Sequence, residues 1–157
     1  MRITAKVDYA VRAAIELARA APADGGRPVP VKGQHLATSQ GIPVKFLENI
    51  LAELKRSGIV ASLRGADGGY WLARPAGQVS VADIIRAVEG PLADVRGVRP
   101  DQLDLGDDLT ALQRMWIALR ANLRAVLEQV TLDDLRNGTL PPAVDALADV
   151  PEAWLVH

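Results

Sequence analysis

Lys45, Glu48 and Asn49 fall on one side of the stretch 43–57, with Ala52 beside them, while Phe46, Leu47, Ile50, Leu51 and Leu54 recur at helical spacing on the other. One face packs and the other is free to read something. A lysine, a carboxylate and a carboxamide side by side offer a cationic donor, an acceptor and a group that is both, which suits recognition by hydrogen bonding. Bond-breaking chemistry has no comparable candidate. The chain has no cysteine and two histidines, His35 on a short helix and His157 at the terminus, with neither a glycine-rich phosphate loop nor a clustered carboxylate pair. No catalytic constellation and no metal site can be drawn, and no thiolate is present to hold an iron–sulfur cluster. His35 reads as a surface or helix-packing residue.

The helix that carries this face is well bounded. Pro43 stands where a first helical residue can be proline, and Gly58 follows the last periodic position. Two short, partly apolar runs come next, 59–64 and 69–73, joined by Gly65-Ala66-Asp67-Gly68, the permissive backbone a hairpin needs. Upstream, 32–39 reads as a short helix ended by Gln40-Gly41-Ile42, so two helices joined by a glycine-containing turn precede the hairpin. The expected fold is mainly α with a small β-hairpin wing: a winged helix-turn-helix. A first helix is expected over 4–21, with Val7, Val11, Ala14, Ile15 and Ala18 inward and Asp8, Arg12, Glu16 and Arg19 able to pair along the outer face. Pro22-Ala23-Asp24-Gly25-Gly26 breaks it, and Val29-Pro30-Val31 reads as a short edge strand. Ser80 is an N-cap with Asp83 in a capping-box position, and Val81, Ile84, Ile85 and Val88 form one apolar face before Gly90-Pro91.

Periodicity then fails, and Gly97, Pro100 and Gly106 with Asp101, Asp104, Asp107 and Asp108 read as an acidic loop. Leu109, Leu112, Trp116, Leu119, Leu123, Val126 and Val130 follow at alternating spacings of three and four, the seam of a coiled coil. A helix of that extent runs about 30 Å at 1.5 Å per residue, long enough to cross a partner, so the seam points to a homodimer; packing on the chain's own core is the alternative. Trp71 and Trp116 read as core and seam residues, or alternatively as walls of an effector pocket. These elements divide the chain into a winged helix-turn-helix at 1–90, a loop at 91–108, a long dimerisation helix and its end at 109–137, and a peripheral tail at 138–157.

With 157 residues, 49% of them hydrophobic, the chain can bury one proper core. Its net charge of −1 hides an asymmetry: residues 1–75 hold 11 Lys/Arg against 6 Asp/Glu, or +5, and residues 76–157 hold 7 against 13, or −6. Positive charge gathers where the helix and hairpin lie, the footprint expected of a surface that faces phosphates. No apolar run approaches the roughly 18 residues of a membrane helix, and Arg2, Lys6, Asp8 and Arg12 interrupt any signal-peptide pattern. A cytoplasmic protein without a membrane partner is expected.

The run FLENILAELKRSGIVASLRGADGGYWLARP, preceded by MRITAKVDYAVRAAIELA and followed by SVADIIRAVEG, resembles the Rrf-two family of bacterial transcription regulators over 1–138, most specifically at the wing LRGADGGYWLARP. The resemblance implies a homodimeric regulator that binds double-stranded DNA at a partly palindromic operator, with the long helix crossing to the other subunit. It also implies that Lys45, Glu48 and Asn49 occupy the recognition-helix positions that reach base edges. Lysine donates to guanine acceptors, asparagine pairs bidentately with adenine and glutamate accepts from cytosine N4; Lys45 serves equally as a phosphate contact. Arg64 matches the family's wing arginine, implied to enter a minor groove. Gly65, Gly68 and Gly69 either let the wing backbone approach DNA or simply form its turn. Arg2 and Lys6 are further candidate phosphate contacts.

Many relatives hold an iron–sulfur cluster on three cysteines, whose first and last places correspond approximately to Gly97 and Thr110 here. None remains, so no cofactor is expected. Where relatives complete the cluster with a carboxylate of the first helix or a histidine of the long one, this chain has Asp8, which reads as a surface ion pair with Arg12, and Gln113. Three controls stay open, a small-molecule effector, a regulatory protein partner or constitutive binding, and a ligand or partner acting on the loop 91–108 is favoured. A repressor is expected, although the diverged loop leaves the resemblance silent on the sign of regulation. The competing reading is a winged-helix protein–protein adaptor, against which the polar face of the recognition helix speaks.

Overall fold

The computed structural model describes residues 2–22 and 25–155; His157 and the Ala23-Asp24 step of the expected break lie outside the described residues. Among the described residues seven α-helices and two strands follow in the order α1 (Ala5–Ala20), α2 (Gly33–Gln40), α3 (Val44–Arg56), β1 (Val60–Leu63), β2 (Gly69–Leu72), α4 (Val81–Glu89), α5 (Thr110–Leu127), α6 (Leu132–Asn137) and α7 (Pro142–Ala148). This is the winged helix-turn-helix that the residue spacing predicts.

Thr4 caps α1, its hydroxyl accepting from the Val7 N–H at 3.2 Å. The inner face of α1 is a stripe of small residues, Ala10, Ala13, Ala14 and Ala18, flanked by Val7 and Leu17, all buried. Such a stripe lets the helices packed across it, α4 and α6 above all, approach closely. Val11 and Ile15, expected inside, are half-buried at its edge. The centre of the domain is α3, whose Leu47, Ile50, Leu51 and Leu54 have no exposed surface. Two expectations for α3 change. Pro43 takes the N-cap seat, one residue before the first helical position. Phe46 is 37% exposed: it lies in the first turn, beyond the edge of the core, and meets the Tyr9 ring edge-on at 6.0 Å.

The strands pair antiparallel in the register Val60↔Leu72, Ala61↔Trp71, Ser62↔Tyr70 and Leu63↔Gly69. The Val29-Pro30-Val31 stretch contributes a single bridge: Val31 and Tyr70 exchange N–H···O bonds of 2.8 Å in both directions. Those contacts leave no room at the root of the wing. A Cβ on Gly69, at φ +154°, would stand 2.6 Å from the Val31 carbonyl oxygen, and one on Gly68 would stand 2.1 Å from that of Leu63.

The capping box of α4 forms as expected, with the Ser80 hydroxyl and the Asp83 carboxylate each accepting from the other's N–H at 3.1 Å. The segment expected as the end of one long helix behaves differently. α5 stops at Leu127, and the chain returns to the domain: the Val81 N–H donates to Val130 O and the Leu132 N–H to Val79 O, each at 2.9 Å. A second capping box, Thr131 with Asp134, starts α6, whose Leu132 is fully buried beside α1. Arg136 donates to the Ala18 carbonyl at 3.0 Å. The core is therefore discontinuous in sequence, closed by 130–137 after the excursion through α5. Val130, expected as the last seam position, is buried in that core, and Leu109 is the N-cap of α5.

Glu128, just past α5, accepts from Arg124 at 2.9 Å and from Arg86 of α4. These bonds, that from Arg124 first, hold its carboxyl well below the ordinary 4.5, at about 2. A carboxylate with a depressed folded-state pKa contributes stability that is fully present above its unfolded pKa and lost as pH falls through the folded one. Wild type should lose thermal stability between about pH 4.5 and 2, and Glu128→Gln should flatten that part of the profile; parallel profiles would remove Glu128 from the linkage. At the wing, Gly69→Ala should cost on the order of 1–3 kcal/mol of folding stability. Gly77→Ala, whose methyl would meet nothing closer than Asp133 Cβ at 3.9 Å, should fold normally, and equal thermal midpoints for the two would contradict the wing geometry.

Candidate nucleic-acid interface

Because the apolar stripe of α3 is spent inside, its other face is turned to solvent. Lys45, Glu48, Asn49 and Ala52 are all exposed, and no hydrogen bond or ion pair among the described residues engages the three polar side chains. A cleft separates α3 from the wing, lined by Lys32, Ala52, Lys55, Ser62, Arg64 and Tyr70 together with wing glycines. Its walls hold three cations and no carboxylate. Lys55 reaches from α3 to the wing and donates to the Ser62 hydroxyl at 2.8 Å. Arg64, just past β1, is exposed and unengaged among the described residues. A row of unpaired donors and acceptors beside cations that no carboxylate neutralises suits a polymer with phosphates outside and hydrogen-bonding edges within.

Not every expected contact belongs to this surface. Lys6 borders the second, shallow cleft of α3 beside Asn49 and Arg56, but its ammonium is consumed. It donates to the Val88 carbonyl at 2.7 Å and pairs with Glu53 at 2.8 Å, tying α1 to α4 and α3. Arg2 lines a different groove, beneath α5. Gly65 is exposed at the wing tip, whereas Gly68 and Gly69 are buried; the backbones of Leu63 and Val31 dictate these two glycines. Lys32 and Lys55 were not singled out by spacing. The signal for Lys32 was present, because a lysine occupies the N-cap of α2, where Ser, Thr, Asp or Asn is preferred and no side-chain cap forms.

α5 has no buried residue over its 18 positions. Leu112, Met115, Ile117 and Leu119 are exposed, while Trp116, Leu123 and Val126 are half-buried. Trp116, Leu119 and Leu123 overhang a groove of about 460 Å³ walled by Ile3, Val7, Ile85 and Leu92. Among the described residues nothing covers the exposed side chains of Leu112, Met115, Ile117 and Leu119.

The loop 91–108 is more ordered than its composition suggests. Leu92, Pro100 and Leu103 are buried in it, and Val95 and Val98 bridge. Arg99 forms two bonds with Asp101, of 3.1 and 2.8 Å, which hold that carboxyl below its usual range. Gln113 of α5 donates to the carbonyls of Pro100 and Leu103 at 3.1 and 2.9 Å. Ala93 and Arg96 take positive φ of 49° and 56°, a conformation unfavourable outside glycine.

Residues 3–138 match the model of the Rrf2 family, described as an iron-dependent transcriptional regulator. A protein of Mycobacterium tuberculosis named as an HTH-type transcriptional regulator is 47% identical over 149 residues, covering 95% of this chain and 89% of that protein. The HTH-type regulator CymR of Bacillus subtilis is 33% identical over 139 residues, covering 88% and 92%. The solved structure of CymR, titled the global cysteine regulator of that organism, superposes with a TM-score of 0.72 at 31% identity, covering 88% of this chain and 98% of CymR. IscR of T. potens superposes with a TM-score of 0.64 at 30% identity, covering 100% and 93%.

The iron in the family's description finds no fitting donor set here. The chain has no cysteine, the Gln113 amide is committed to loop carbonyls, and Asp8 is exposed with Arg12 at 3.4 Å. Among the described residues no three His, Cys, Asp or Glu side chains cluster as metal ligands, and no helix there is long and apolar enough to cross a membrane. In sequence and in fold, the chain belongs to the Rrf2 family of transcriptional regulators.

Proposed function

We propose that the protein is a sequence-specific, DNA-binding transcriptional repressor, not an enzyme, that acts in the cytoplasm as a homodimer on a partly palindromic operator without an iron–sulfur cluster. One observation carries this reading: the unpartnered row Lys45, Glu48 and Asn49 stands beside a cleft of cations that ends at Arg64. In this reading the row enters a major groove and Arg64 a minor groove, while Lys55 and Arg56 lie along phosphates. The domain 1–90, closed by 130–137, binds the duplex. α5 pairs with its counterpart through Leu112, Trp116, Leu119, Leu123 and Val126, its exposed apolar face supporting that role. Control would act through the loop 91–108, by a small-molecule effector or a protein partner; the positive φ of Arg96 and of Ala93, which lines the groove, supports a loop with a function beyond connection.

Two exposed apolar residues favour a second reading, a winged-helix adaptor that docks on protein: Phe46 is 37% exposed at the start of α3, and Leu63 is 57% exposed on the wing. Selection from a random duplex library separates the two. Affinity for the selected duplex and for a scrambled one is compared across salt, with and without cell extract. A palindromic winner with steep salt dependence supports the regulator; no winner under either condition supports the adaptor.

On the winning duplex, Arg64→Ala should lose about 1–3 kcal/mol of binding, and Glu48→Ala should relax base choice at one position more than it lowers overall affinity. Uniform loss over all sequences by Glu48→Ala would contradict a base-reading role. Leu119→Asp should shift the protein from dimer to monomer in sedimentation equilibrium, and an unchanged dimer would move the interface away from α5.

A further inference from the structure

We propose that Lys32 is the positioning residue of the wing, its ammonium fixing the wing turn, and with it Arg64, against the start of the helix-turn-helix. This rests on the DNA-binding reading above for its consequence, though not for its geometry. Lys32 occupies the N-cap of α2, where it offers no acceptor to the free N–H groups of the first turn. Its side chain goes elsewhere. The ammonium crosses to the wing and donates to the Gly65 carbonyl at 3.2 Å and to the Ala66 carbonyl.

The wing needs such a restraint. Its strands have four residues each, and a two-stranded hairpin is marginal by itself. Its root is locked: Val31 bridges Tyr70, Gly69 lies against Val31, and a Cβ on Gly33 would stand 3.3 Å from the Tyr70 ring. Lys55 steadies β1 at Ser62. Beyond these points the tip, 64–67, is exposed. Among the described residues its restraints are the Gly68 N–H on Gly65 O at 3.1 Å, within the hairpin, and Lys32 from outside it. Arg64 immediately precedes a clasped carbonyl, so any rotation of the turn swings the guanidinium. Holding the turn before binding removes an ordering cost that the complex would otherwise bear. Because the ammonium is turned onto carbonyls, the effect of Lys32 is exerted through geometry.

Lys32→Met keeps the apolar stem and removes the donor, whereas Lys32→Arg keeps charge and donors. Amide hydrogen exchange over 62–72 is measured in the free full-length variants, together with affinity for the selected duplex across salt, alone and combined with Arg64→Ala. In Lys32→Met the tip amides should exchange several-fold faster at an unchanged global midpoint, and affinity should fall on the order of tenfold. Lys32→Arg should restore most of both. The loss should largely vanish in the Arg64→Ala background, as coupled residues require, and the salt slope should stay as in wild type. Unchanged wing exchange would overturn the proposal, as would losses that add fully to those of Arg64→Ala. A slope reduced by about one would mean that Lys32 neutralises a phosphate itself, and would overturn it too. If wild type prefers no duplex, the DNA-binding reading fails, and the exchange measurement alone decides whether Lys32 holds the wing.

Discussion

Four side chains, Leu47, Ile50, Leu51 and Leu54, anchor this structure by leaving water completely on one face of α3. Burying each is worth about 1.5–3 kcal/mol, while an exposed ion pair such as Arg12 with Asp8 contributes at most about 1 kcal/mol. α1, α2, α4 and β1 all pack on this stripe or its neighbours, so the orientation of α3 is set by the strongest term in the domain. The opposite face must then be presented to solvent in a fixed rotation. Lys45, Glu48 and Asn49 are displayed because the core requires it, and they stay free of internal partners at little cost in stability.

The wing is held by contact at its root. The Val31–Tyr70 bridge brings two backbones together so closely that a Cβ at position 69 would press on the Val31 carbonyl. The same closeness carries the start of α2 to the wing, within reach of the Lys32 ammonium. Helix-turn-helix and wing are thus one body, and the cation-lined cleft between them is a feature of that junction rather than of either part. Lys6, a cation by composition, belongs to the interior bracing of the same body.

α5 is a different kind of element. No residue of it is fully buried, yet both of its ends are tethered, by Gln113 to the loop and by Glu128 to Arg86 of α4. Between those tethers its apolar surface overhangs a groove in the domain. The return at 130–137 places Leu132 in the core and binds the arm to the unit that carries α3.

The apolar spacing in α3, the Ser80–Asp83 capping box and the glycine-rich turn were legible in the chain because each is a local pattern whose energetic reason lies within a few residues. They determined the winged helix-turn-helix and the outward row of Lys45, Glu48 and Asn49. Side-chain targets across the fold were not legible. Lys6 and Arg64 are both cations near the recognition helix, and only packing shows that Lys6 is consumed by Val88 and Glu53 while Arg64 is left open. Periodicity carried the seam through Leu109 and Val130, since a spacing of three and four does not record where a helix stops; the Thr131–Asp134 capping box and the burial of Leu132 end it. Gly68 and Gly69 read as a close approach to DNA or as a tight turn, and their own backbone surroundings, Leu63 and Val31, are what exclude a side chain there. Local sequence determined which elements form and which faces they own, and tertiary contact decided which charges remain free, because pairing depends on residues such as Lys32 and Ala66 that meet only once the chain has folded.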